Sequence, residues 1–150
     1  MSTAPNKIFI FDKIKIFFKH TDYYGFVHPY NYLEWTSYVR EAYFSEICQD
    51  FKAIIESKVK MMTSKISLAM YEDSMFGDNI EARFVTSKIK KVSFDVIIQF
   101  YNKRLQKNVA ETQHTLVFVD SSTMQFTTIP QALKDVIIDY LIVEWKSKNA

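Results

Sequence analysis

Between Phe18 and Arg40 the chain reads FKHTDYYGFVHPYNYLEWTSYVR, which sets Asp22 and His28 on a loop running straight into an aromatic-rich helical pattern. A carboxylate beside the first turn of a helix lies next to backbone N–H groups without intrahelical partners, at the positive end of the helix dipole. A carbonyl held there is polarised by those amides while the carboxylate acts on its carbon, either as a nucleophile or as a general base for water. A loop aspartate has a second reading, because Asp also caps turns through hydrogen bonds to its own backbone neighbours. His28 has three roles open to it: orienting a substrate, donating to the carbonyl oxygen, or packing beneath the helix as a hydrogen-bonded histidine.

The run Asp22, Gly25, Val27, His28, Asn31, Tyr32, Leu33, Trp35 and Arg40 resembles the signature of the hotdog-fold acyl-CoA thioesterases of the 4-hydroxybenzoyl-CoA thioesterase type. The resemblance implies an α+β hotdog fold over residues 1–150, a single domain in which a long central helix is wrapped by a curved antiparallel β-sheet, with a C-terminal helix. It implies hydrolysis of an acyl-CoA or acyl-carrier-protein thioester. Asp22 would be the catalytic carboxylate, assisted by His28 and the Tyr30 amide. Gly25 would let the backbone turn tightly and approach the thioester, and Tyr23, Tyr24, Asn31 and Trp35 would complete the substrate site. The aromatics Tyr23, Tyr24, Phe26 and Tyr30 suit an acyl or aryl pocket, core packing or a subunit contact. Lys88, Lys90 and Lys91 fall at a turn where relatives contact the coenzyme A phosphates, and Ser93 where relatives often carry a small hydroxyl. An acidic carrier protein would suit the same lysines, which on a tight turn are otherwise simply solvated.

Two departures from the family pattern keep other readings open. The backbone donor to the thioester carbonyl, seven residues after the aspartate, falls on Pro29, which has no N–H. Losing one oxyanion donor costs roughly 10²–10³ in turnover, unless the Tyr30 amide or the His28 ring substitutes. Ser37 stands where Asp-type relatives most often carry Glu, leaving Glu34 and Glu41, which read as a solvated or ion-paired face. The alternatives are a non-catalytic acyl-thioester-binding protein on the same fold and a hotdog hydratase or dehydratase using Asp22 and His28. His20-x-Asp22 with His114 mimics a two-histidine, one-carboxylate iron site, but its supporting context is missing, and neither metal nor other cofactor is expected.

The elements that must position these residues follow from composition and periodicity. At 150 residues and 48% hydrophobic content, the chain suffices for one domain with a real core. Thirteen Phe and nine Tyr make an aromatic interior or interface, while two Gly and three Pro leave little room for long irregular loops and argue against disorder. A formal net charge of +2 without a block of like charges does not point to nucleic acid. The single Cys48 excludes an internal disulfide framework. The start, MSTAPNK, does not read as a signal peptide and no stretch is long enough to span a bilayer, so a cytoplasmic protein without a membrane partner is expected.

Alternation predicts a strand over 8–18 through Ile14, Ile16 and Phe18, and others through Ile66, Leu68 and Met70, through Ile80, Ala82 and Phe84, and through Val92 to Phe100. A last strand over about 109–119 mixes apolar residues on both parities, as one buried on both faces does. Turns are expected at 76–79, 90–91 and 105–108, and consecutive strands should pair as an antiparallel meander. Tyr32, Trp35, Val39, Ala42 and Tyr43 recur at helical spacing from Asn31 to about Cys48, with Leu33, Phe44 and Ile47 widening the apolar surface. Residues 51–58 extend that helix or follow a break. A C-terminal amphipathic helix carries Leu133, Val136, Ile137, Tyr140 and Leu141, with Pro130 in its first turn. An open sheet has an edge to cover, so a homodimer or homotetramer is expected.

Overall fold

The computed structural model describes residues 7–142. Its alternating runs form strands β1 (Phe9–Lys15), β2 (Val59–Met70), β3 (Asn79–Ser87), β4 (Ser93–Asn102) and β5 (Lys107–Asp120). The aromatic-rich segment forms the long helix α1 (Pro29–Ile47); a short α2 (Phe51–Glu56) follows a break at Cys48, and α3 (Gln131–Ile137) lies near the C-terminal end. A proline stands at the start of two of these helices: Pro29 takes the first position of α1 and Pro130 the cap of α3, where a missing N–H breaks no helical bond.

The sheet is wholly antiparallel, in the order β1-β3-β4-β5-β2. The expected meander therefore holds for β3, β4 and β5 but not for β2, which leaves its chain neighbour β3 and pairs along β5 from Val59↔Asp120 to Met70↔Ala110. The connection over residues 71–78 is too long for a tight hairpin and is tied away from one: the Tyr71 and Glu72 amides donate to the Val109 carbonyl. A bulge between Thr63 and Lys65 switches the parity of β2, which is why the Ile66, Leu68, Met70 alternation does not extend upstream.

The sheet curves around α1. Its inner face carries Ile80, Ala82 and Phe84 from β3, Phe94, Val96, Ile98 and Phe100 from β4, and Leu116 and Phe118 from β5, all buried against Tyr32, Trp35, Val39, Tyr43 and Phe44 of α1. Tyr43 stacks on Phe84 at 4.1 Å between ring centroids and receives the edges of Phe9 and Tyr140. Each of the larger aliphatic and phenylalanine side chains stabilises the fold by roughly 1.5–3 kcal/mol through burial alone. Val109 and Val119 are also buried, so both parities of β5 contribute.

Three boundaries differ from the sequence reading. β1 ends at Lys15, and Phe18, on a 3-10 turn, is 74% exposed and stacks on Phe76. The β4–β5 turn lies at residues 103–106 because Asn102 Oδ1 accepts the Arg104 and Leu105 amides and starts the reversal early. Helix α3 tightens into a 3-10 turn at Ile138–Tyr140 before the chain turns to pair Leu141 with Thr86.

Candidate active site at the amino end of the central helix

The loop bearing Asp22 is built from its own sequence. Thr21 pairs with Val27, the Asp22 amide donates to the Phe26 carbonyl at 2.7 Å, and Gly25 closes the turn at φ +85°, a conformation that glycine adopts without steric cost. Asp22 Oδ1 accepts the Tyr24 and Phe26 amides at 2.8 and 3.1 Å. The turn-capping reading and the catalytic reading thus meet in one side chain. Two N–H donors fix the carboxylate through Oδ1, and Oδ2 makes no hydrogen bond among the described residues.

Long-range bonds seat this loop on the fold. The Val27 amide donates to the Ser74 carbonyl, Phe26 bridges Met75, and the His28 amide and Asn31 Nδ2 both donate to the His20 carbonyl, at 3.0 and 2.8 Å. Asn31 is buried and holds the loop against α1. Ser74 and Met75 are in turn held by Asp78, whose Oδ2 accepts the Met75 amide and Asn102 Nδ2, while Asn102 Nδ2 also donates to Ser74 Oγ. Arg104 donates to both Asp78 carboxylate oxygens, at 2.6 and 3.0 Å. Burial alone would raise the Asp78 carboxyl, but these hydrogen bonds and the Arg104 charge outweigh it and hold it below its ordinary value.

His28 caps α1 in an extended conformation, and its ring stacks on Tyr30 at 5.0 Å. With Pro29 at the first helical position, the first backbone donor of α1 is the Tyr30 N–H, which has no hydrogen-bond partner among the described residues. Asp22, Gly25, His28 and Tyr30 are therefore gathered at one helix end. Trp35 packs its buried ring against His20 and Tyr32. Tyr23 is 96% exposed, and Tyr24 and Tyr30 also stand in solvent, so core packing is not their use within one chain.

The basic turn is elsewhere. Lys88, Lys90 and Ser93 line a polar cavity of about 470 Å³ on the outer face of the sheet, floored by Asp95, which accepts Thr115 Oγ1 and Gln113 Nε2. Lys91 instead faces a groove toward α3 with Thr128 and Lys134. These lysines follow the last residue of β3, whereas the Asp22 loop is bridged to residues preceding its first, so one chain does not bring the two groups together.

Sequence reasoning missed Lys65, which the β2–β5 pairing carries to the same cavity; nothing local signals a contact made by non-local pairing. It also missed that buried His114 on β5 feels the charge of half-buried Arg40 on α1. Neither His114 nitrogen has a partner; Arg40 donates from Nη1 to Thr63 Oγ1 at 2.8 Å, while its Nε is buried without one. Burial, then the Arg40 charge, pushes His114 down to about 4, with Asp95 opposing. Burial likewise lowers Arg40, against the Glu41 charge. Among the described residues no group of three or more His, Cys, Asp or Glu is placed to hold a metal ion.

Solved structures of similar fold include a 1,4-dihydroxy-2-naphthoyl-CoA thioesterase from Synechocystis, at TM-score 0.77 and 15% identity over 89% of this chain and 97% of that one. The dynemicin thioesterase matches at TM-score 0.79 and 15% identity, over 91% and 98%. A Staphylococcus aureus protein solved in complex with CoA matches at 0.83 and 10%, over 95% and 90%. At these identities the likeness shows the hotdog fold. No curated protein sequence matches the chain. The family model of the thioesterase-like superfamily matches residues 16–137, from the end of β1 through α3 and across the whole Asp22 loop. The chain belongs to the thioesterase-like superfamily.

Proposed function

We propose that this thioesterase hydrolyses an acyl-CoA to a free acid and CoA, with Asp22 as the catalytic carboxylate and the Tyr30 N–H as oxyanion donor. The observation that carries the reading is the pairing of a carboxylate pinned through Oδ1, with Oδ2 unengaged, and an unpaired amide at the adjoining helix end. In the general-base route Asp22 takes a proton from water as its oxygen adds to the carbonyl carbon. The tetrahedral oxyanion is met by the Tyr30 N–H and the helix dipole, then the C–S bond breaks and the thiolate leaves. In the nucleophilic route Asp22 itself displaces the thiolate and water cleaves the resulting anhydride. His28, stacked on Tyr30, orients the acyl group beside that donor.

Coenzyme A is favoured as the carrier because the similar Staphylococcus aureus protein was solved with CoA and the Synechocystis enzyme is named for a CoA thioester. The Lys88, Lys90 and Ser93 cavity, joined by Lys65, offers cations to its phosphates, and would equally receive an acidic acyl carrier protein. Twofold pairing of the β2 edges, assembling a homodimer and then a homotetramer, would carry the lysines of one subunit toward the Asp22 loop of the other and cover the exposed tyrosines. No helix of the described residues is long and apolar enough to cross a membrane, and we place the protein in the cytoplasm.

The test is thiol release over a panel of acyl-CoAs and acyl carrier proteins. Asp22→Asn retains an oxygen for the Tyr24 and Phe26 amides, so the loop persists, while turnover falls by about 10²-fold or more. Pro29→Ala adds an N–H at the family's donor position; with Tyr30 already in that role, turnover does not rise. Full activity in Asp22→Asn would exclude the mechanism, a tenfold gain in Pro29→Ala would move the donor, and inactivity of all three proteins would favour a thioester-binding protein.

A further inference from the structure

At the β1 edge, the opposite edge of the sheet from β2, the strand and the 3-10 turn after it leave a groove of about 330 Å³ against α1. Phe11, Phe17, Trp35 and Tyr38 supply its apolar walls. Lys13, Lys15 and Lys19 rim it. A hollow of about 210 Å³ shares Lys19, His20, Trp35 and Tyr38 with it and is completed by Tyr30, Asn31 and Glu34, the one acid lining either space. Asp22 lines neither.

The rim is uncompensated. None of its three lysines forms an ion pair among the described residues, and the adjacent Asp12 is taken by Lys103 at 2.6 Å. His20 adds a polar group: it lines the groove, is buried, and its Nδ1 accepts the Phe17 amide at 2.9 Å. The proton of the neutral ring is thereby assigned to Nε2. Aromatic walls disfavour a compact inorganic anion, three cations disfavour a neutral lipid, and a volume at the small end of ligand sites is too small for a whole CoA conjugate.

We propose that this groove binds a free monocarboxylate with an apolar tail, the tail lying on Phe11, Phe17 and Trp35 and the carboxylate held by the rim lysines and the His20 N–H. Thioester hydrolysis releases acids of this class, so the site is placed to take up product. The ligand assignment itself rests on the groove and stands apart from the hydrolytic reading.

Calorimetric titration of the full chain with decanoate, below its micelle-forming range, tests this without turnover. One saturable site is expected, weakened by salt, with 1-decanol at least about tenfold weaker. The exposed-residue variant K13E/K15E/K19E should raise the decanoate Kd by about tenfold or more, and Tyr38→Glu, an independent exposed position, should do likewise, while Asp22→Asn binds as wild type. Four results would overturn the proposal: no saturable binding of decanoate, equal binding of decanol, loss of binding in Asp22→Asn, or binding to phosphatidylglycerol vesicles without binding to decanoate.

Discussion

His114 is 1% exposed on β5 with neither ring nitrogen hydrogen-bonded, and folding lowers its pKa to about 4 from 6.5. Because the folded value is the lower one, stability is full above about pH 6.5 and is lost as pH falls toward 4. That gap corresponds to about 3 kcal/mol at 1.36 kcal/mol per pH unit, and integration gives a loss of about 2 kcal/mol by pH 5. His114→Leu removes the titration together with two unpaired buried polar atoms, so at about pH 7.5 the variant should be no less stable than wild type. The assay is urea unfolding of both proteins at about pH 7.5 and 5, at one protomer concentration. Ionisable groups away from His114 are common to both proteins and cancel in the comparison. Wild type should lose about 2 kcal/mol more than the variant between the two pH values. Equal losses would refute the reasoning, since protonating His114 would then cost the fold nothing.

Asp78→Asn should destabilise the protein by about 1–3 kcal/mol at neutral pH, because Arg104 loses its charged partner. The Asp78 contribution is present above about pH 4 and fades as pH falls through its lowered value, so wild type and variant should converge in melting temperature in acid; a constant gap would show that the Asp78 charge is irrelevant. Lys88→Glu with Lys90→Glu, and separately Lys65→Glu, should raise KM and leave kcat near wild type, with a flatter salt dependence. An unchanged KM for CoA and carrier-protein substrates alike would remove the cavity from the substrate path.

How much of this is legible in the sequence depends on sequence separation. The Asp22 loop and the start of α1 are local: Gly25 closes the turn at positive φ, Pro29 opens the helix, and both are visible as residue types. β3, β4 and β5 show because short turns join strands whose inner face alternates. The place of β2 in the sheet does not, because alternation reports a strand's faces and not its neighbour, and a bulge hides half of that strand. The place of Lys65 in the cavity and the nearness of His114 to Arg40 are invisible for the same reason. Phe18 falls on a buried face only when the strand period is carried past Lys15 into what is a turn.

The bonds from Val27 to Ser74 and from Phe26 to Met75 also order events in time. The β3–β4–β5 meander closes only short loops and can form early, whereas the Asp22 loop must wait for a segment some fifty residues away to swing across and dock. Long loops carry their entropic cost before any contact repays it. Docking of the Asp22 loop is thus expected after the transition state for folding. Ser74→Ala, which keeps the Ser74 carbonyl but removes the buried Oγ that accepts Asn102 Nδ2, should accelerate unfolding in stopped-flow measurements and leave the folding limb unchanged; a slowed folding limb would place this docking in the nucleus.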